Sequence, residues 1–340
     1  MSLSFDSLFA TFAQHKALIV GDVMVDAYVW GRVERVSPEA PVPVVRVNRR
    51  ENRLGGAANV ALNVQALGAT PLLCAVVGTD AAGDAFRQLL RKQDIATDYI
   101  VSSAERTTTV KERVIAGAQQ VVRIDDEHDH LLSEAEQQLL LAAADRALEQ
   151  ADVVVFQDYD KGVLSEPVIR HIMQRAQEKG IPVAVDPKKR NFMHYQGASL
   201  FKPNLKELRQ GLQQERLALH DETYAPLHNE PAAIREAAAA LRGLLHHRIT
   251  LITLSEKGIF VDANSEEFHF IPAHLRQIAD VSGAGDTVIS IAALCLASAA
   301  PLPTLAALAN LGGGIVCEYT GVVPIDRTRL LTEANDHLAE

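Results

Sequence analysis

Short apolar segments alternate with longer amphipathic ones along most of this chain. The runs KALIVG (16–21), DVVVF (152–156) and IPVAV (181–185) are almost wholly apolar, which is typical of parallel strands buried on both faces. Between the last two runs, residues 166–179 have the pattern of a helix. This alternation predicts an α/β fold, a doubly wound and mainly parallel sheet flanked by helices. Further strands are predicted over 72–77, 200–202, 250–254 and 260–262, and further helices over 55–67, 80–93, 133–149 and 231–245.

Residues 31–48, GRVERVSPEAPVPVVRVN, interrupt this alternation. Their three prolines exclude a central strand, so we predict edge strands that project from the main sheet as a small β lid. The prolines also predict that the lid contains no long regular sheet. Residues 107–115 and 120–125 alternate about Gly117 and predict a hairpin, part of which joins the lid. The polar stretch 210–229 predicts an irregular surface excursion after its first turn.

The lid also predicts a partner. It carries six valines, more apolar surface than a small projection can leave in water. We therefore predict a homodimer in which two lids pair across a two-fold axis, each lid belonging to a single domain that spans residues 1–340. The alternative is a lid that lies flat on its own domain in a monomer.

The charge and the cysteines limit the partners and the compartment. With a net charge of −10 and a pI near 5.7, the chain lacks the basic balance that binding to a nucleic-acid backbone requires. No apolar run is long enough to span a membrane, and the N-terminus lacks the pattern of a signal peptide. Cys74, Cys295 and Cys317 lie far apart in apolar segments, which predicts buried thiols in a cytoplasmic protein.

The segment DVSGAGDT, residues 280–287, precedes an apolar run that predicts a buried helix. Gly283, Ala284 and Gly285 allow a tight turn whose N–H groups converge on an anion at the helix N-terminus. A carboxylate there, Asp286, can accept the proton of an alcohol beside that anion, which is what phosphoryl transfer to a sugar hydroxyl needs. The alternative is an ordinary helix with an acidic residue in its first turn.

Polar residues at two other predicted element ends can bind a sugar. Asp22 and Asp26 follow the first strand at its carboxyl end, where open α/β sheets bind ligands. Their carboxylates can hold a pair of hydroxyls, or they can cap backbone N–H groups of a loop. Gly55 and Gly56 open a helix where a ligand can approach the backbone, and Asn59 offers an amide that both donates and accepts.

Charged residues on the hairpin and after a later strand can bind phosphate. Lys111 and Arg113 alternate, so they lie on one face, and with Arg123 they can clamp an anion or simply form a solvated face. Asn204 and Glu207 are one helical turn apart, a spacing suited to Mg²⁺-bound water or to phosphate. The same spacing is that of an ordinary helix cap.

Two further strand ends border a nucleotide in this interpretation. Lys188 follows the strand over 181–185 and can reach nucleotide phosphates. Thr253, Ser255 and Gly258 form a polar turn after the strand over 250–254.

Taken together, GGAAN at 55–59, N-x-x-E at 204–207 and D-x-x-GAGD at 280–286 resemble the motifs of the ribokinase/PfkB sugar-kinase family in order and spacing. The resemblance extends over about residues 17–324. It implies a ribokinase-like fold, ATP as co-substrate and a requirement for Mg²⁺.

The resemblance, together with the residue chemistry above, assigns a role to each candidate. The catalytic group comprises Asp286 as base and the anion hole of Gly283, Ala284 and Gly285. Substrate-binding positions are Asp26, Gly55, Gly56, Asn59, Lys111, Arg113, Arg123 and Asp158. Nucleotide-binding positions are Lys188, Asn204, Thr253, Ser255, Gly258 and Asn310. Metal positions are Asn204 and Glu207 for Mg²⁺ through water, and Asp280, Ser282 and Gly321 for a monovalent cation such as K⁺.

Within the family, residues 21–45 (GDVMVDAYVWGRVERVSPEAPVPVV), DYDKG at 158–162 and DPKKRNF at 186–192 most resemble kinases of D-glycero-D-manno-heptose 7-phosphate. The implied function is ATP-dependent phosphorylation at C1 by a stand-alone kinase, for ADP-heptose and lipopolysaccharide core synthesis. One alternative is a kinase for another sugar, such as ribose, fructose phosphate or a nucleoside. The other is a non-catalytic sensor. The basic hairpin favours a phosphorylated substrate, and Asp286 favours an enzyme.

Overall fold

The computed structural model describes residues 4–117, 119–218, 231–264 and 267–338, and within them nine strands form one large sheet and four form a second. In chain order the strands are β1 (Lys16–Gly21), β2 (Val23–Val36), β3 (Pro43–Gly56), β4 (Thr70–Gly78), β5 (Ile100–Ser103), β6 (Val110–Ala116), β7 (Gln119–Asp126), β8 (Val153–Gln157), β9 (Val183–Asp186), β10 (Leu200–Phe201), β11 (Ile249–Thr253), β12 (Ile259–Asn264) and β13 (Glu267–Ile271). The helices are α1 (Phe5–Phe12), α2 (Ala57–Ala66), α3 (Ala81–Lys92), α4 (Glu134–Leu148), α5 (Glu166–Lys179), α6 (Leu205–Ala218), α7 (Pro231–Leu245), α8 (Ala284–Ala297), α9 (Leu302–Val316) and α10 (Arg327–His337).

The large sheet has the order β13-β12-β11-β10-β9-β8-β1-β4-β5. All neighbouring strands from β11 to β5 pair in parallel, with Leu18 of β1 opposite Leu72 and Val154. The predicted doubly wound, mainly parallel sheet is therefore confirmed. At one edge, β12 and β13 pair antiparallel, and β13 was absent from the predicted elements.

Helices cover both faces of this sheet because its strands are apolar on both sides. In β1, Ala17 and Ile19 belong to one apolar core, and Leu18 and Val20 to another. The first core is closed by α1, α2, α3, α8, α9 and α10, and the second by α4, α5, α6 and α7. A strand that buries successive side chains on opposite faces needs this third layer, which explains the continuous apolar runs.

The second sheet, with the order β3-β2-β6-β7, forms the lid. Its strands β2 and β3 have 14 residues each, so the sheet is longer than predicted, although register shifts between Trp30 and Gly31 and between Val33 and Arg35 make its pairing irregular. Pro38 and Pro41 lie in the connection between the two strands, and Pro43 is the first residue of β3, where a strand tolerates proline. The lid sheet also begins before the predicted residue 31, because β2 starts at Val23. The first half of β2 is buried against the main body.

Other predictions are tested by single elements. Helices α5 and α7 have the predicted bounds, and α6 extends to Ala218, so the stretch predicted to be irregular after its first turn is helical up to residue 218. Residues 219–230 lie outside the described part. Among the described residues, no helix combines the length and apolar character needed to cross a bilayer. The three cysteines are free and buried, as predicted.

Candidate active site

The candidate site lies where the carboxyl ends of β1, β8 and β9 meet the N-terminus of α8. Gln157 ends β8, Asp186 ends β9, and Asp22 follows β1 directly. Ligands of open α/β sheets bind at this edge. Helix α8 begins after Gly283, whose φ of 80° is in the left-handed region. A Cβ on Gly283 would lie 2.9 Å from Nδ2 of Asn59, so a side chain has no room there.

Asp286 is buried in the first turn of α8, with only 4% of its surface exposed. Its Oδ2 accepts a hydrogen bond of 2.7 Å from Nδ2 of Asn59. Its Oδ1 accepts one of 2.7 Å from the hydroxyl of Tyr159 and one of 3.3 Å from Nε2 of Gln157. Burial raises the pKa of Asp286 to about 6 even though the first two bonds lower it. A carboxylate with such a pKa is ionised at neutral pH and is a better proton acceptor than an ordinary one.

The glycine turn lies beside a buried ion pair. Nζ of Lys202 is 3.0 Å from Oδ2 of Asp186, and both side chains are almost fully buried. A Cβ on Gly285 would lie 3.7 Å from that Nζ and 3.8 Å from that Oδ2. The N–H groups of the turn, the helix dipole and the ammonium therefore converge on one place, which is suited to a phosphoryl group.

Asn204 and Glu207 cap α6 through each other. Oδ1 of Asn204 accepts from the backbone N–H of Glu207, and Oε2 of Glu207 accepts from the backbone N–H of Asn204, both at 2.8 Å. The ordinary helix cap that the spacing left open is therefore present. The second carboxylate oxygen of Glu207 accepts from Nζ of Lys188. This pairing brings the predicted phosphate-binding lysine to the predicted metal residue.

On the sugar side, Asp26 lies buried on β2 and forms a 2.6 Å ion pair with Arg113 on β6. A Cβ on Gly55 would lie 2.8 Å from Oδ2 of Asp26, so this approach of β3 requires glycine. Gly56, with a φ of 62°, starts α2 close to the carbonyl of Asp22. Asp26, Gly55 and Gly56 thus lie together at one wall of the site, and Asn59 is fully buried behind it with its amide on Asp286.

Asp22 itself follows the alternative interpretation, a loop-capping carboxylate. It accepts from the backbone N–H groups of Tyr159 at 2.8 Å and of Lys161 and Val163 at 3.1 Å. Burial and, after it, the nearby charge of Asp158 raise its pKa to about 6, although the three hydrogen bonds lower it. Asp22 therefore holds the loop that follows β8.

The basic hairpin residues are each paired with a carboxylate. Lys111 lies 3.3 Å from Glu127, and Lys161 lies 2.6 Å from the same carboxylate. We call Lys111 and Lys161 the lysine pair. Arg123 stands opposite Arg113 in the strand register, but its half-exposed side chain bonds to Asp125 at 2.8 Å. Lys111 stands opposite Asp26, so the lysine pair borders the sugar side.

Asp158 is placed differently from its assignment. It is fully buried, and its carboxylate accepts from the hydroxyl of Tyr195 at 2.8 Å and the amide of Asn191 at 3.0 Å. A ligand therefore finds no exposed atom of Asp158 to contact. The assignment of Asp158 to substrate binding is corrected to a role in packing.

The nucleotide candidates lie at the ends of adjacent elements. Thr253 at the end of β11 forms an isolated bridge with Asn204, and Ser255 begins an exposed turn that Gly258 ends with a φ of 94°. Asn310 on α9 donates to the carbonyl of Pro272 at 2.8 Å. Thr253, Ser255 and Gly258 thus share one border with the Asn204 cap.

The predicted cation loop is closed by Asp280. Its Oδ1 accepts from the backbone N–H and the hydroxyl of Ser282 at 2.9 and 2.8 Å, and its Oδ2 accepts from the N–H of Gly321 at 2.9 Å. Burial raises the pKa of Asp280, but these hydrogen bonds outweigh it and hold the pKa below its usual value. The structure therefore brings all three predicted residues together.

Sequence reasoning missed four residues of this site, namely Gln157, Tyr159, Lys161 and Lys202. Tyr159 and Lys161 belong to DYDKG directly after β8, and Gln157 ends that strand. Their position at the carboxyl edge of a parallel sheet was the available signal.

Comparison with known proteins agrees with this geometry. Residues 14–328 match the pfkB family of carbohydrate kinases. The bifunctional protein HldE of Gluconacetobacter diazotrophicus is 40% identical over 324 residues, which are 95% of this chain and 64% of that protein. HldE of Caulobacter vibrioides is 40% identical over 97% of this chain and 65% of its own length. The structure of phosphofructokinase-2 from Escherichia coli in complex with potassium is 18% identical and has a TM-score of 0.77, covering 96% of this chain and 99% of that one. Arabidopsis thaliana ribokinase complexed with ribose and ATP has a TM-score of 0.69 at 16% identity, over 93% and 98% of the two chains.

The chain therefore belongs to the pfkB family of carbohydrate kinases. The predicted family and ribokinase-like fold are confirmed, and so is the predicted class of enzyme, an ATP-dependent carbohydrate kinase. The solved structures, at 18% identity or less in these two cases, carry the fold alone. The chain spans 64% of the length of the first of these HldE proteins.

Replacing Asp286 by asparagine tests its role as base. The amide keeps the shape but cannot accept a proton, so we expect kcat to fall by at least about 10²-fold with KM for ATP nearly unchanged. In the unchanged protein, kcat/KM should rise with pH through a value of about 6, because only the ionised carboxylate accepts the proton. Steady-state kinetics from pH 5 to 9 measure both. A variant with more than half of the original kcat contradicts the assignment.

Proposed function

We propose that this chain transfers the γ-phosphoryl group of ATP to the C1 hydroxyl of D-glycero-D-manno-heptose 7-phosphate. The product is the 1,7-bisphosphate for ADP-heptose and lipopolysaccharide core synthesis. The observation that carries the proposal is the buried Asp286, with a pKa of about 6, at the N-terminus of α8. The identity to the HldE proteins and the motif resemblance to heptose-phosphate kinases support the choice of sugar.

The residues of the site divide the reaction between them. Asp286 accepts the proton of the C1 hydroxyl as that oxygen attacks the γ-phosphorus. The N–H groups of the turn at Gly283 and Gly285 stabilise the charge on the transferring phosphoryl group, and Lys202 adds its ammonium. Asp26 holds a sugar hydroxyl, the fully buried Asn59 orients Asp286, and the lid excludes water from the reacting atoms.

The donor set fits Mg²⁺ held mainly by water and by nucleotide phosphates. Among the described residues, no group of three or more His, Cys, Asp or Glu side chains forms a ready metal cage. Glu207 has its oxygens engaged by the Asn204 N–H and by Lys188, so contact through water fits better than direct ligation. When bound, Mg²⁺ would neutralise charge on the phosphates. The loop of Asp280, Ser282 and Gly321 is the proposed place for K⁺, supported by the potassium in the phosphofructokinase-2 structure.

The lysine pair is the proposed contact for the 7-phosphate. The carboxylate of Glu127 binds both ammonium groups, and we propose that a phosphate binds the same two groups. Arg113, which the sequence assigned to the same anion, instead neutralises Asp26.

The buried free thiols of the chain suit the reducing cytoplasm.

A substrate panel tests the proposed function. With ATP and Mg²⁺ fixed, we expect heptose 7-phosphate to give the highest kcat/KM among heptose 7-phosphate, ribose, fructose 6-phosphate and adenosine. Asp286→Asn serves as the inactive control. A higher kcat/KM for any of the other three acceptors overturns the assignment to heptose while leaving the kinase class intact.

Replacing either lysine of the pair by alanine tests the 7-phosphate contact. A lost charge-assisted hydrogen bond costs about 1.5–3 kcal/mol, so we expect KM for heptose 7-phosphate to rise about 10- to 150-fold. Because the 7-phosphate does not react, kcat should change little. Lys179→Ala is a matched control, since Lys179 forms a 2.9 Å surface pair with Glu149 on the outside of the molecule. A rise in KM for ATP instead assigns the pair to the nucleotide.

We also propose that the single kinase domain forms a homodimer through its lid. Several apolar lid side chains are exposed: Val33 at 44%, Val36 at 64%, Val42 at 51%, Val47 at 44%, Val122 at 47% and Ile124 at 52%. Pairing with a second lid removes this apolar surface from water.

Sedimentation equilibrium tests the dimer. At micromolar concentration we expect a mass near twice 36.9 kDa, shifting towards the monomer when Val36 and Val42 are changed to aspartate. Leu139→Asp is the control, because Leu139 is equally exposed but lies on α4, outside the lid. A monomeric unchanged protein refutes the pairing and leaves the kinase proposal standing.

A further inference from the structure

Tyr159 and Gln157 contact Asp286, have no role assigned from the sequence and are not used by the reaction as described above, and Tyr159 makes the shorter bond. Its hydroxyl donates to Oδ1 of Asp286 at 2.7 Å, as short as the bond from Asn59 to Oδ2. Each oxygen of the proposed base therefore has one strong donor, and the two donors come from different parts of the fold. With the longer bond from Gln157, three of the four acceptor directions of the carboxylate are occupied. The fourth can accept a hydrogen bond from a sugar hydroxyl.

The hydroxyl stays a donor over the working range of pH. Burial, and then the charge of Asp286, raise the pKa of Tyr159 well above its ordinary value. The phenol therefore stays protonated at neutral pH and cannot itself remove the substrate proton. Its contribution to the base is a fixed, neutral hydrogen bond.

The backbone on either side of Tyr159 is fixed by residues outside the ligand space. The carboxylate of Asp22 accepts the N–H of Tyr159 itself and those of Lys161 and Val163. The guanidinium of Arg106, which is nearly buried, donates to the carbonyl of Lys161. These hydrogen bonds fix the loop backbone and so keep the phenol close to Asp286.

The other charged groups near Asp286 come from two strand ends. Asp186 raises the pKa of Asp286, and Lys202 lowers it. Lys188 lies with its Nζ 5.7 Å from the centre of the Tyr159 ring and is paired with Glu207. Tyr159 thus contacts the proposed base through its hydroxyl and Lys188 through its ring.

We propose that Tyr159 is a positioning residue, which fixes the orientation of the Asp286 carboxylate and keeps it ionised for proton transfer. This inference rests on the proposed function in taking Asp286 as the base. The hydroxyl acts through Asp286 and touches no reacting atom. A hydrogen bond to an ionised carboxylate stabilises that form, so its removal raises the pKa of the carboxyl group.

Tyr159→Phe removes only the hydroxyl and keeps the ring. We expect kcat at pH 7 to fall about 10-fold and the acid limb of kcat/KM to move up by about one pH unit, with KM for ATP unchanged. Tyr195→Phe is the matched control, since it removes another buried tyrosine hydroxyl, one that bonds to Asp158 next to the same loop. The control should leave the acid limb where it is.

A second measurement works without any substrate. Titration of the Asp286 side-chain carboxyl by ¹³C NMR, assigned as the resonance lost in Asp286→Asn, should show the same upward shift in Tyr159→Phe. If heptose 7-phosphate is no substrate but this shift occurs, the proposed function fails and the positioning role stands. An unmoved limb and resonance in Tyr159→Phe, or the same shift in Tyr195→Phe, overturn the inference.

Discussion

The site depends on keeping one carboxylate, that of Asp286, ionised inside the protein. A buried charge without partners is costly, so the fold has to supply donors at the place where the helix begins. Asn59 comes from α2, Gln157 from β8 and Tyr159 from the loop after it. Because these elements are far apart in the chain, the proposed base has its donors only when the sheet and the helix layer that contains α2 and α8 are in place.

A second buried carboxylate, that of Asp22, holds the loop after β8. It binds three backbone N–H groups that no strand or helix satisfies, and so holds the loop that carries Tyr159. Its raised pKa means that protonation near pH 6 weakens the loop at about the pH where Asp286 is protonated. Loss of activity in acid therefore has two sources, which the substrate-free titration of Asp286 separates.

Local patterns predicted what depends on local structure. The bounds of α5 and α7 and the Gly283 turn follow from periodicity, propensity and glycine, each of which acts within a few residues. The length of the lid strands could not be predicted in this way, because their outer halves are stabilised by pairing with each other. Asp158 and Asp22 illustrate the same limit for side chains. Both are acidic residues at a strand end. Only their partners, Tyr195 for Asp158 and Val163 for Asp22, show that these carboxylates stabilise the fold instead of binding a ligand.

The contacts of the lid join Asp26 to the loop of Asp280 and Gly321. Arg113 binds Asp26, and its charge also helps to lower the pKa of Asp280. Arg53 of β3 donates to the carbonyl of Val322 at 3.2 Å, next to Gly321, whose N–H is held by Asp280. A displacement of β2 and β3 therefore either breaks these contacts or moves the segment that precedes the glycine turn of α8. Since Asp280 and Asp286 are separated by only that turn, a movement of β2 and β3 would be transmitted to the start of α8.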